Sequence, residues 1–293
     1  MREIVVDVQH VSKSFGSEQV LEDVTLQLMR GKIHGIIGRN GSGKTVLMKC
    51  ICGFLRPTAG KISVFGKNIG TDCDFAPKTG MLIETPGFLP HETGMSNLLW
   101  LAKLGNGARC EDVAALMRLV GLDPAAKKRV SHYSLGMRQR LCFAMQIVTD
   151  TPYMLMDEVM NGLDPTNVEL ISNVLKALRE QKKAIVIASH ILTNLDSYAD
   201  RVLFLKDGKI IHEYLGRKSL VNEPLYVKTD SADFLVVFPE LTTVTIDLQG
   251  RIYLVEISDP QLPQRFIAAG ITDFSVGHLA LNELYLKYFP ENS

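Results

Sequence analysis

Residues 38–45 read Gly-Arg-Asn-Gly-Ser-Gly-Lys-Thr. A glycine, four residues, then Gly-Lys-Thr is the spacing of a loop that cradles phosphate. Gly41 and Gly43 let the backbone curl, so that the N–H groups of Gly38, Arg39, Asn40 and Ser42 can turn inward at phosphate oxygens. Lys44 is placed to reach the β- and γ-phosphates of a nucleotide, and the Thr45 hydroxyl to take a Mg²⁺ ion. A second group stands at Asp157-Glu158, after the apolar run Tyr153–Met156. There Asp157 could reach Mg²⁺ through its water shell, and Glu158 could orient or deprotonate a water. A third is Ser189–His190, after the apolar run Ala184–Ala188; an imidazole in that place can contact a γ-phosphate. Phe15, at a Phe-Gly turn, is either a platform for a nucleotide base or a packed turn residue.

These residues need elements to bring them together. Lys32–Ile37 is strand-like and leads into the Gly38 loop. Val46, Leu47, Cys50 and Ile51 follow at helical spacing, and such a helix aims its positive end at the same phosphates. Residues 4–12 and 20–28 alternate as half-buried strands, and Lys61–Phe65 and Gly80–Glu84 are further strands. Thr85–Pro90 breaks the chain. Helical spacing then runs from Ser96, and again across Asp112–Val120, with a stop at Asp123–Pro124. Ser134 is an N-cap for a helix through Ile147. Residues 85–150 therefore read as a mostly helical insert. Tyr153–Met156 and Ala184–Ala188 read as strands buried on both faces, whose carboxyl ends open on a ligand crevice. Asn161–Pro165 turns into a helix over Thr166–Arg179. Asp207-Gly208 joins 201–206 to 209–214 as a hairpin.

Beyond a connector at 215–223, the pattern over 224–293 is strand, helix, strand, strand, helix, strand, helix. The Gln249-Gly250 turn joins the middle strands. The first six elements give the split β-α-β-β-α-β order of a ferredoxin-like sandwich. No catalytic cluster stands there, so a docking or dimer-supporting module is expected.

The totals exclude several classes. The 293 residues are 46% hydrophobic and 22% charged, with 32 basic and 32 acidic side chains. Zero net charge argues against a nucleic-acid binder. No apolar run approaches the ~20 residues of a membrane span. The start, MREIVVDVQH, lacks the pattern of a secretory signal, so any membrane role is expected to come through a partner. The five cysteines are odd in number and lack zinc spacing, which suits reduced core thiols.

Over residues 1–214 the chain resembles the nucleotide-binding subunit of ABC transporters. GRNGSGKT matches the Walker A loop, and YMLMDE at Tyr153–Glu158 looks like Walker B plus the catalytic glutamate. NGLDP at Asn161–Pro165 matches the D-loop, Ser189–His190 the switch histidine, and Phe15 the base-stacking aromatic. Ser134–Arg140 falls where the family has its LSGGQ signature, with Leu135 and Met137 in place of the usual Gly and Gln. Val159 replaces the usual proline, and Glu84 stands at the Q-loop glutamine. GMLIETPGF and SLGMRQRL are similar to segments of bacitracin-resistance and lantibiotic-immunity exporters.

The resemblance implies an α/β P-loop NTPase of the ABC ATPase fold, with a helical subdomain at about 85–150 and a small α+β domain after it. It implies a homodimer with two sandwiched ATP molecules, Ser134 and Gly136 touching the partner's γ-phosphate, and Asp164 beside the nucleotide. Glu158, His190 and Lys44 would be catalytic, and Thr45, Asp157 and Glu84 would serve Mg²⁺. Integral-membrane permease subunits would be the other partners, at the cytoplasmic face of the membrane. An ATP-switched interaction module without transport is the rival from another class. A DNA-handling ATPase of the superfamily is disfavoured, because no sustained heptads lie between Lys44 and Asp157.

Overall fold

A computed structural model describes residues 3–84, 87–104, 109–190, 195–216, 225–229, 233–239, 241, 243–245, 253–257 and 259–289. Thr85 and Pro86, most of the expected connector, and the Gln249-Gly250 turn lie outside the described residues. The chain divides into two compact units, Met1–Tyr214 and Leu215–Ser293.

The first unit has two sheets. Strands β1 (Ile4–Phe15), β2 (Glu18–Met29), β4 (Ala59–Val64) and β5 (Lys67–Asn68) form an antiparallel sheet in the order β2-β1-β4-β5. The second sheet runs β10-β9-β3-β8-β7-β6. Its strands are β3 (Ile33–Ile37), β6 (Thr79–Leu82), β7 (Tyr153–Asp157), β8 (Ala184–Ser189), β9 (Arg201–Lys206) and β10 (Lys209–Tyr214). All are parallel except β10. Every residue of β3, β7 and β8 is buried, the reason these strands are mostly apolar and do not alternate; their polar members are His34 inside β3 and the strand-end Asp157 and Ser189. Ile37 pairs with Ser189, and Asp157 with Ala188. The carboxyl ends of the three central strands therefore line up, and all three chemical groups leave the sheet at one end.

Helix α1 (Lys44–Cys52) shares a core with both sheets. Its Leu47, Met48 and Ile51 are fully buried with Val6, Val8 and Leu28 of one sheet and Leu155, Val186 and Leu203 of the other. The first hairpin differs from its expected form. Its strands are longer than the alternation suggests, and β1 pairs with β4 in the antiparallel sheet. His10 and Asp23 interrupt the alternation at positive φ, 52° and 50°, and their side chains pair at 2.8 Å. These bulges let one strand continue past a break in its pattern.

Helices α2 (Gly94–Leu104), α3 (Cys110–Leu119) and α4 (Leu135–Val148) fill the span between β6 and β7. α3 stops before the Asp123–Pro124 expected from the sequence. Gly121 takes φ +72°, and Leu122 N–H reaches back to Met117 O at 2.8 Å, so a left-handed glycine ends the helix first. Helix α5 (Pro165–Glu180) follows β7, and a short α6 (Leu195–Tyr198) precedes β9. Asp207 and Gly208 both have positive φ, as the tight β9–β10 turn requires. Cys50, Cys52 and Cys142 are buried, and desolvation pushes their thiols up to about 11, 12 and 12. Cys110 is exposed, so it departs from the core-thiol expectation.

The second unit has β11 (Tyr226–Thr229), α7 (Asp233–Val237), β12 (Thr243–Thr245), β13 (Tyr253–Glu256), α8 (Leu262–Ala268), β14 (Ser275–Gly277) and α9 (Leu281–Tyr288). Its antiparallel sheet has the order β12-β13-β11-β14. That is the ferredoxin-like arrangement, with the third strand inserted between the first two. The last strand begins at Ser275 rather than Ile271, because Ile271 and Phe274 turn in to pack on the core around Phe266.

Candidate functional site

The Gly38 loop leaves β3 and ends in the first turn of α1. Its close approach to neighbouring groups explains Gly38 and Gly43, while Gly41 stands in open space at φ +82°. A Cβ on Gly38 would lie 2.3 Å from Leu205 O and 2.5 Å from Ser42 Oγ. Gly43, at φ +101°, would place one 2.8 Å from Leu21 Cδ2 and 2.9 Å from Val20 O. The loop is thus wedged between the start of β2 and the end of β9, and Gly208 N–H donates to Ser42 O at 3.2 Å. Ser42 Oγ is buried with no partner. Lys44 Nζ donates to the carbonyls of Gly38 at 2.8 Å and Arg39 at 3.0 Å, so the ammonium lies over its own loop. Burial draws that ammonium below the usual lysine range, against the pull of the Glu158 and Asp157 carboxylates.

The strand-end residues converge as the register requires. Thr45 Oγ1 donates to Asp157 Oδ2 at 2.7 Å, bridging α1 and β7. Asp157 Oδ1 is buried and has no hydrogen-bond partner. Desolvation raises its carboxyl above the usual range, opposed by the Thr45 hydroxyl and reinforced by the Glu158 charge. A buried carboxylate with an open oxygen, beside a hydroxyl, is the hard-oxygen donor set that suits Mg²⁺, an ion that keeps several waters. Among the described residues, no three His, Cys, Asp or Glu side chains form a cage for a metal.

Glu158 and Glu84 share a backbone feature. Each follows a strand end at positive φ, 57° and 60°, which is uncommon for a residue with a side chain. Glu158 N–H bonds to Ala188 O at 2.9 Å, fixing the kink against β8. His190 Nδ1 lies 2.7 Å from Glu158 Oε1, and the Asn161 amide donates to Glu158 Oε2. Both carboxylate oxygens are therefore held. Glu84 takes a different partner: Lys49 Nζ on α1, at 2.5 Å.

Ser134 caps α4 by accepting from Met137 N–H at 3.3 Å. Asp164 caps α5 by accepting from Asn167 N–H at 2.9 Å, and that bond leads the causes lowering its carboxyl below the usual range. Phe15 ends β1 paired with Glu18; its ring is half-exposed, with Lys13 Nζ 4.9 Å from the centroid. The structure thus brings Lys44, Thr45, Asp157, Glu158 and His190 into one cluster. It places Ser134, Gly136 and Asp164 at the starts of two other helices.

Sequence reasoning missed two residues. Asn161 was legible only as part of the NGLDP turn; its contact with Glu158 depends on how that turn closes. Lys49 stood in plain view, one helical turn after Thr45 and so on the same face of α1.

Residues 21–161 match the sequence family described as ABC transporter. The chain is similar to the bacitracin transport ATP-binding protein BcrA of Enterococcus faecalis, 37% identical over 213 residues that cover 72% of this chain and 69% of the relative. It is also similar to the lantibiotic transport ATP-binding protein SrtF of Streptococcus pyogenes, 31% identical over 218 residues, 74% of this chain and 94% of the relative. Among solved structures it resembles a dimeric ATP-binding cassette in a post-hydrolysis state bound to ADP and Pi. That match has a TM-score of 0.64 at 25% identity and covers 72% of this chain and 99% of the other.

Proposed function

The chain belongs to the ABC transporter family as an ATP-hydrolysing subunit, and on that footing we propose that it powers export of an antimicrobial peptide. The peptide cargo follows the relatives named for bacitracin and lantibiotic transport. Two copies close head to tail over two ATP molecules, beside separate permease subunits on the cytoplasmic face of the membrane. No helix among the described residues is long and apolar enough to cross a membrane, which fits a peripheral place in that assembly.

The carrying observation is the doubly held Glu158. A carboxylate whose two oxygens meet His190 and Asn161 has a fixed direction, as a group that must polarise one water requires. The backbone of Gly38, Arg39, Asn40, Gly41, Ser42 and Gly43 takes the phosphates. Lys44 moves its ammonium from the loop carbonyls to the β- and γ-phosphates. His190 orients Glu158 and contacts the γ-phosphate. Phe15 stacks on the base. Thr45 and Asp157 would hold Mg²⁺, and Glu84 would add a carboxylate on that side. When bound, the ion neutralises charge on the phosphate oxygens. Ser134 and Gly136 close on the partner's γ-phosphate, with Asp164 near the same nucleotide.

Glu158→Gln tests the assignment. Loss of the base lowers turnover about 10²–10⁴-fold, and MgATP then holds a dimer visible by size-exclusion chromatography. Normal hydrolysis in that variant removes Glu158 from the role.

A further inference from the structure

The geometry points to Leu135 as a positioning residue that ties the Ser134 loop to the turn carrying Asn161, and through that turn to Glu158 of the same subunit. This inference rests on the functional reading above.

Leu135 replaces a glycine of the common signature, and it occupies a definite place. Gly162 has φ +73°, and a Cβ on it would fall 2.4 Å from Leu135 Cδ2 and 3.0 Å from Cγ. The leucine side chain therefore rests directly on the Gly162 backbone. A Cβ on Gly136 would lie 3.8 Å from Gly162 O, so the two loops approach along more than one residue. Leu135 is the first residue of α4, next to the Ser134 cap. Gly162 is next to Asn161, whose amide holds the Glu158 carboxylate. The contacts form one line: Ser134, Leu135, Gly162, Asn161, Glu158, His190.

The chemistry gives this line a use. Ser134 closes on a nucleotide held by the partner, whereas Glu158 acts on the nucleotide held by its own loop. A displacement of the Ser134 loop bears on Gly162 through Leu135, because the leucine side chain already touches that backbone and leaves no gap between them. The turn of Asn161 then carries the displacement to the hydrolytic carboxylate. Leu135 is 55% exposed, so its truncation removes little core, and alanine suits the first turn of a helix. A loss of turnover in a Leu135→Ala protein therefore reports geometry rather than unfolding.

A double-mutant cycle in the full-length protein decides the matter. Leu135→Ala lowers kcat about five-fold, about 1 kcal/mol, with KM for MgATP and the urea midpoint unchanged. Gly162→Ala drives Leu135 off its seat and also lowers kcat. The double variant loses no more than the worse single, because both remove one contact. Losses that multiply overturn the inference. Leu135→Met keeps an apolar reach to Gly162 and most of kcat; equal losses in Leu135→Met and Leu135→Ala also overturn it, and that pair suffices should Gly162→Ala fail to fold. Hydrolysis surviving in Glu158→Gln would defeat the functional reading instead, so the two failures are distinguishable.

Discussion

His34 lies in the middle of the most buried part of the sheet, 1% exposed, and its chemistry is independent of the nucleotide loop. Its Nε2 accepts the Met29 N–H at 2.9 Å, while Nδ1 has no partner. Burial first, then the Arg201 charge, lowers its pKa from 6.5 to about 4; Asp200 opposes and Lys32 assists. Between those two values the unfolded chain binds the proton and the folded chain does not. Stability is therefore fully present above pH 6.5 and falls as pH drops toward 4, by about 3 kcal/mol on this account. Urea midpoints for wild type and His34→Gln, taken from pH 7 to pH 4, check this. The wild type should lose more over the window, and parallel curves would assign the loss elsewhere. Among the chemical residues, Lys44, Thr45, Asp157, Glu158 and His190 were legible because their spacing and their strand-end positions are local properties. The left-handed backbone at Glu158 and Glu84 was not, since no residue type there favours it.

At the scale of elements, the site depends on which strand ends meet. β6 and β7 are adjacent, and each delivers a carboxylate through a positive-φ kink. The Lys49–Glu84 pair ties the loop after β6 to α1. Glu84 is largely exposed, with a side-chain accessibility of 62%, so the pair contributes only about 0–1 kcal/mol to folding. Its consequence belongs to the metal side of the site. Glu84→Gln should leave the melting temperature nearly unchanged and raise the Mg²⁺ concentration needed for half-maximal ATPase activity. An unchanged Mg²⁺ requirement separates Glu84 from the metal. Helix starts were readable to within a residue: Ser134 caps α4 as its position suggests, and α5 begins at Pro165 beside the expected Thr166, with Asp164 as a cap the sequence reading did not name. The helical spacing over Asp112–Val120 gave the end of α3 to within a residue, but the stop is supplied by Gly121, not by Asp123–Pro124.

At the scale of the molecule, two cores are built differently. The first unit buries aliphatic strands around α1. The second relies on aromatic rings: Phe266 is fully buried, with its centroid 5.1 Å from Phe238 and 5.7 Å from Phe234 in stacked geometry. α9 covers the opposite face of that sheet by polar contacts, Lys228 to Glu283 and Lys287 to the Tyr226 hydroxyl, each 2.6 Å. Phe266→Ala should cost about 3–5 kcal/mol, all of it in the second unit. Calorimetry should then show one transition moved down and the MgATP-responsive transition in place. A downward shift of both would mean that the units unfold together.

The sequence by itself determined the phosphate loop, the buried strands, the Ser134 cap and the split order of the second unit. Each follows from residue types a few positions apart, where backbone sterics and apolar periodicity act directly. Only the tertiary structure decided that β1 and β2 form a separate sheet with β4 and β5, that Asn161 takes the second oxygen of Glu158, that Lys49 takes Glu84, and that Leu135 rests on Gly162. Those outcomes join residues from separate elements, and they are fixed by strand register and helix packing, which no local spacing records.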